Sequence, residues 1–198
     1  MGKYSKEDLL SNEFNSIVSE VMGIPSEDYL SKISDDNLVR MKILVKNINN
    51  VLTLRLTQKV AGWICKNQNF DSSKVSQVLR TIDSTKPNAN GFDIEIDDPR
   101  IVVEIKCNIP INDGNRFGSK QAEGIRKDIM GLLNGKTKSS VDTSKAIKIL
   151  GLSNVGRAKE AAKNLVSSLD INIRRRIVFC ERAADIDLKL DKLYVLIL

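Results

Sequence analysis

Three residues in the stretch 91–109, GFDIEIDDPRIVVEIKCNI, are of the types that metal-assisted chemistry on a phosphate requires: Asp93, Glu104 and Lys106. Paired oxygen ligands suit Mg²⁺, a hard ion that takes one or two carboxylates and keeps several waters. A nearby ammonium can orient or deprotonate an attacking water, or offset charge developing on a phosphate. The chain contains no histidine, and its three cysteines, Cys65, Cys107 and Cys180, are far apart. Ordinary zinc sites, His-based triads and His-metal chemistry are thereby excluded.

The elements that must position these residues are two strands. Phe92, Ile94 and Ile96, then Ile101, Val103 and Ile105, alternate with polar side chains on either side of Asp98-Pro99, the pattern of a hairpin with one apolar face. With Asp98-Pro99 as a two-residue loop, Asp97 faces Arg100, and the same register puts Asp93 opposite Glu104. Facing carboxylates repel, at a cost of about 0.2–1 kcal/mol unless a cation lies between them. Lys106 projects from the same face roughly 6–7 Å beyond Glu104. The competing reading is an amphipathic hairpin whose polar face is merely solvated.

Asp93 and the triplet Glu104-Ile105-Lys106, set inside the apolar run IVVEIKC, resemble the PD-(D/E)xK nuclease superfamily, the fold of many type II restriction endonucleases and of several repair and recombination nucleases. Phe92 stands where that family's proline is expected. The local resemblance covers about residues 91–134. It implies a restriction-endonuclease-like α/β core and a Mg²⁺ held by Asp93, Glu104 and the main-chain carbonyl of Ile105. Lys106 would position the water. A helical Glu20 and Gln121, early in the helix after the second strand, are candidate helpers.

Composition sets bounds around that site. A chain of 198 residues, 41% hydrophobic and 28% charged, is of a size to bury one good core, and it is expected to form a single domain over 1–198, mainly helical over 1–90 and α/β over 91–198. No run approaches the roughly 18 apolar residues of a membrane span, and the polar start is unlike a signal peptide. Isolated thiols fit a reducing compartment. A cytoplasmic protein with no membrane association is the expectation.

The net charge of +6 is unevenly spread. From Arg116 to Arg182 there are 15 Lys/Arg against 6 Asp/Glu, whereas Gly91 to Glu104 holds five acids and one Arg100. An acidic centre in a basic surface suits an enzyme that draws a polyanion by its rim and a cation by its centre; a solvated basic face without a partner is the plainer alternative. Arg116, Lys120, Lys136 and Lys138 are the candidate DNA contacts, for backbone or for guanine.

Along the chain, apolar spacing predicts a helix over 5–22, a short one over 26–33, and a long one from Ser34 or Asp35 to about Lys66, with Asn49-Asn50 a candidate bend. The long helix is expected to pack on the sheet or to form an oligomer contact. A further helix spans about 73–82, and another runs from Ser119 to about Leu133, ended by Gly135. The segment KAIKILGL has two readings. As a strand over 146–152 it extends the sheet, followed by a helix capped by Ser153 or Asn154; as a helix it would, with LSNVGRAKEAAKNL, resemble a helix-hairpin-helix. The strand reading is preferred, since the sheet needs it. The runs 174–180 and 192–198 complete a mixed sheet of about five strands.

The resemblance thus implies a Mg²⁺-dependent endodeoxyribonuclease, foremost a type II restriction endonuclease acting on double-stranded DNA as a homodimer. A structure-specific repair or junction nuclease is one alternative. A non-catalytic DNA-binding domain retaining the fold is another.

Overall fold

A computed structural model describes residues 6–84, 91–137, 139–180 and 186–198. The chain divides into two compact units, Met1–Ile48 and Asn49–Leu198. The boundary between the units falls within a helix.

The first unit holds α1 (Lys6–Met22) and the start of α2 (Asp35–Asn67). The helix expected over 26–33 is reduced to a 3-10 turn at Leu30–Lys32. Side chains from elsewhere take up the backbone groups that would have nucleated it: Tyr29 and Leu30 donate their N–H groups to Asn15 Oδ1 at 2.9 and 3.0 Å. Local polar side chains compete with a helix in this way. α2 continues as helix through Asn49-Asn50.

The second unit is α/β. After α3 (Ser72–Ser84) come β1 (Ile94–Asp97), β2 (Arg100–Lys106), α4 (Ser119–Asn134), β3 (Ile147–Leu152), α5 (Ala158–Ser167), α6 (Ile171–Arg174), β4 (Ile177–Cys180) and β5 (Leu193–Ile197). The five strands form one mixed sheet in the order β1-β2-β3-β5-β4, antiparallel between β1 and β2 and parallel elsewhere. Residues 147–152 are therefore a central strand, and the helix-hairpin-helix reading of KAIKILGL is overturned. All six residues of β3 are buried between β2 and β5, an environment that a helix exposed on one side would not fill. Ser153 and Asn154 donate their N–H groups to the carbonyls of Lys106 and Leu198. They prolong the strand pairing instead of capping α5, which starts later.

Two apolar layers sandwich the sheet. On one face Val60 and Ile64 of α2 and Val78 and Ile82 of α3 meet Ile94, Ile101, Val103, Ile149 and Leu196. On the other, Ile125, Ile129 and Leu132 of α4 and Ala161 and Leu165 of α5 meet Val102, Leu150 and Val195. Even-numbered residues of β2 face α4, which is what places Glu104 and Lys106 beside that helix. One charge is built into this layer. Lys148, with no exposed surface, donates to the carbonyls of Ala146 at 2.7 Å and Leu190 at 2.6 Å. Burial, first, and then Arg176 lower its pKa. Its role is to tie β3 to the segment before β5.

The approach of α2 to the sheet depends on Gly151. A Cβ there would lie 2.7 Å from both Ile105 Cδ1 and Val60 Cγ2. Gly151→Val should therefore lower stability by about 1–3 kcal/mol through overpacking, read as a reduced urea midpoint at unchanged m-value. An unchanged midpoint would show that the layer gives way freely.

Candidate active site

The site is built on the hairpin. Ile94 pairs with Val103 and Asp97 with Arg100, so the register is the one that sets Asp93 opposite Glu104. Asp93 lies just ahead of β1 but continues its pairing: its N–H donates to Val103 O at 2.9 Å. Its carboxylate reaches across to β2, where Oδ2 accepts the N–H of Ile105 at 2.7 Å. That bond fixes the acid beside the backbone of the Glu-x-Lys triplet. Lys106 closes the C-terminal end of β2, beside the end of β3. The C-terminal edge of parallel strands is where open α/β sheets hold their ligands.

Glu104 is buried, at 3% exposure, and its Oε1 is ion-paired with Lys136. The same ammonium donates to Gly91 O at 2.6 Å and stands 4.9 Å above the centre of the Phe92 ring, a favourable cation–π distance. Two glycines bring it there. Gly135, at φ +89°, turns the chain at the end of α4. Gly131 leaves room for the lysine stem, since a Cβ there would meet Lys136 Cγ at 3.1 Å. Lys136, expected among open DNA contacts, thus belongs to the acidic centre.

A third carboxylate enters from α4. Asp128, almost fully buried, pairs with Lys106 Nζ at 2.8 Å. The sequence reading did not single it out. The signal was present: Asp128 sits among Ile125, Ile129 and Leu132 on the stripe of α4 that faces the sheet, where a charge without a partner is costly. Apart from the two ammonium groups, Glu104 Oε1 and Asp128 Oδ2 have no hydrogen-bond donor. The centre therefore holds three carboxylates and two lysines.

Protonation follows from that crowding. Desolvation, then Asp93 and Asp128, push the Glu104 carboxyl up to about 7 against the pull of Lys136. Asp93 is also raised, chiefly by desolvation and against the Ile105 N–H, Lys106 and Lys136. The larger rise is that of Glu104. Desolvation draws Lys106 down, but Asp128, Glu104 and Asp93 outweigh it and hold the ammonium above the usual lysine range. Lys106 is thus held as an ammonium beside Asp128.

Gln121, Arg116 and Lys120 make no contact with this centre. Gln121 accepts the N–H of Gly118 at 3.1 Å and closes the start of its own helix. Arg116 and Lys120 are exposed; Arg116 lines a cavity of about 520 Å³ between α4 and α5 with Arg126 and Asn164. Lys138 lies outside the described residues. Glu20 is an exposed residue of the first unit. On the open side of Asp93 runs a groove of about 320 Å³ between α3 and β1, lined by Lys74, Gln77 and Thr81 as well as Asp93, Glu95 and Asp97.

Among the described residues, no three acidic or cysteine side chains converge as a preformed metal cage, and no helix is long and apolar enough to cross a membrane. Cys65, Cys107 and Cys180 are free thiols. Comparison with known protein families, curated proteins and solved structures finds no match.

The Glu104 shift has a sign. Between about pH 4.5, the ordinary glutamate value, and about 7 the folded chain holds a proton that the unfolded chain has lost. Stability therefore falls as pH rises through that window, and the loss is complete above it. The expected size is on the order of 2–3 kcal/mol. Urea midpoints measured in chelator should fall from pH 5 to pH 8 in the native protein, and Glu104→Gln should flatten that slope. A slope untouched by the substitution would place the titrating group elsewhere.

Proposed function

We propose that the chain is a Mg²⁺-dependent endodeoxyribonuclease with a restriction-endonuclease-like core, cutting double-stranded DNA in the manner of a type II restriction endonuclease. The observation that carries this reading is the register of β1 and β2, which sets Asp93 opposite Glu104 with Lys106 two residues on. The mixed five-stranded sheet, with α4 packed against the Glu104 side, supports it. So does the basic excess over 116–182. Three free thiols suit a reducing compartment, and the cytoplasm is the proposed location.

The donor set fits Mg²⁺. Asp93 and Glu104, from neighbouring strands, are both raised in pKa chiefly by burial, and two carboxylates with retained waters are a usual Mg²⁺ complement. Asp93, Glu104 and the Ile105 carbonyl would hold it. An ion held there would supply Lewis acidity toward the scissile phosphate and a more acidic water. The protein's own groups do the rest. Glu104 must release Lys136 to free its oxygen. Lys106, held by Asp128, positions the water and offsets charge as the phosphorus–oxygen bond breaks. Lys136, on leaving Glu104, is a cation free to meet a phosphate.

A second reading has a specific observation behind it. Lys106 and Lys136 are already neutralised by Asp128 and Glu104, as in a DNA-binding domain whose catalytic site has been retired. A structure-specific repair or junction nuclease shares the chemistry of the leading proposal and differs only in substrate.

Incubation with plasmid and with branched DNA in Mg²⁺ separates these readings. Discrete plasmid fragments mark a site-specific enzyme, and branch-dependent cutting the alternative. Glu104→Ala and Lys106→Ala should each lower cleavage by at least about 10²-fold, and Asp128→Asn by roughly 10-fold, as for a group that orients another. Mg²⁺ should also raise the melting temperature, and Asp93→Ala should remove that rise. DNA binding without cleavage, indifferent to Lys106→Ala, would favour the non-catalytic domain.

A further inference from the structure

The cavity of about 520 Å³ between α4 and α5 stands on another side of α4 from the acidic centre. Arg126, which lines it, and Asp128, which holds Lys106, project about 200° apart around the helix. What the cavity binds is therefore a question separate from the chemistry at Glu104.

Its walls are joined by bonds between distant segments. Asn164 of α5 donates its side-chain N–H to Asn115 O at 2.9 Å, which ties the segment before α4 to α5. Arg126 donates to Ser168 Oγ at 3.2 Å. These polar residues are exposed, whereas Phe117, Ala161 and Leu165, which also line the cavity, are buried and form an apolar floor. An apolar lining with a few polar groups, in a cleft of this volume, is the composition of a small-molecule site.

Charge narrows the ligand. Arg116 and Arg126 both line the cavity, and among the described residues no acidic side chain does. Glu123 and Glu160, each next in sequence to a lining alanine, are exposed outside it. The Arg116 side chain has no hydrogen-bond or ion-pair partner among the described residues. Arg126 commits to Ser168 only part of its fork of N–H donors. The C-terminal end of α5 lies at the same wall, but its partial charge of about −0.5 does not cancel two guanidinium groups. The site is thus positive, and its donors are of the type that matches phosphate oxygens in pairs. A bare phosphate would leave the apolar floor uncovered. An uncharged aromatic molecule would leave the arginines unanswered.

We infer that this cavity binds a nucleoside monophosphate, its phosphate held by Arg116 and Arg126 and its base laid on the floor of Phe117, Ala161 and Leu165. A phosphate monoester carries about −1.5 to −2 charges at pH 7, enough to neutralise both arginines. The flat face of the base covers apolar surface that water now meets. Asn164 Oδ1 remains an acceptor at the rim, since only the N–H side of that amide is used on Asn115. This inference does not rest on the nuclease reading.

The test is calorimetric titration of the full chain, in chelator, with adenosine, guanosine, cytidine and uridine 5′-monophosphates, with uncharged adenosine and with inorganic phosphate. At least one mononucleotide should bind with a Kd below about 1 mM, and adenosine and phosphate should each bind at least about 10-fold more weakly. Arg116→Ala and Arg126→Ala should each weaken that binding by at least about 10-fold, the loss expected of a hydrogen bond to a charged group. Both side chains are exposed, so the urea midpoint of each variant should stay at the native value. No binding by any mononucleotide overturns the inference, as does native affinity in both arginine variants. Phosphate that binds as tightly as the best mononucleotide would overturn the nucleoside assignment. A duplex oligonucleotide without terminal phosphates, displaced by mononucleotide and no longer bound by either variant, would overturn it as well, by making the cavity a stretch of a DNA backbone path.

Discussion

The interaction on which this structure turns is the electrostatic balance around Glu104. A carboxylate at 3% exposure cannot keep its charge without a counter-ion close by. Lys136 is that counter-ion. Around this pair the remaining charges are placed in turn: Asp93 across the hairpin, Lys106 two residues along β2, and Asp128 on α4 answering Lys106. Removing Lys136 or Lys106 leaves the carboxylate it faces, Glu104 or Asp128, buried and uncompensated, a larger penalty than the interaction itself is worth. Gly131 and Gly135 serve this balance, since they let the chain after α4 bring Lys136 into contact.

The same balance makes the centre chemically poised. Three carboxylates share two ammonium groups, and burial first, with carboxylate repulsion added, raises the pKa of Glu104 and Asp93. A proton is one remedy and a divalent cation another. Which one the protein uses separates a buried structural cluster from a hydrolytic site. Strained electrostatics of this kind are common where groups must change state during a reaction. Structural ion networks produce them as well, and so the metal itself must be the arbiter.

Much of the sheet was legible in the sequence because period-two alternation is a local signal. The β1–β2 register followed from Ile94, Ile96, Ile101 and Val103 together with the turn at Asp98-Pro99, and it came out as read. The strand over 146–152 was preferred because the sheet needed it, and residues 147–152 form the strand between β2 and β5. What escaped notice depends on distant partners. Asp128 looked like one more polar residue on α4 until Lys106 was seen beside it, and Lys136 looked like surface charge until two glycines were seen to fold it inward. The short helix α6 was missed because Arg174, Arg175 and Arg176 run directly into an apolar strand; its start is fixed by Asp170, whose side chain accepts the N–H of Asn172. The expected helix over 26–33 failed because Asn15, more than a helix-turn distant in sequence, captures its backbone N–H groups.

The measurement closest to the central claim is crystallographic: soaking with Mn²⁺, a Mg²⁺ surrogate visible by anomalous scattering. The account predicts one strong anomalous peak between the carboxylates of Asp93 and Glu104, with the Lys136 ammonium withdrawn from Glu104. Absence of a peak there, with Lys136 still seated on Glu104 at saturating Mn²⁺, would contradict it and leave a buried ion network without metal chemistry.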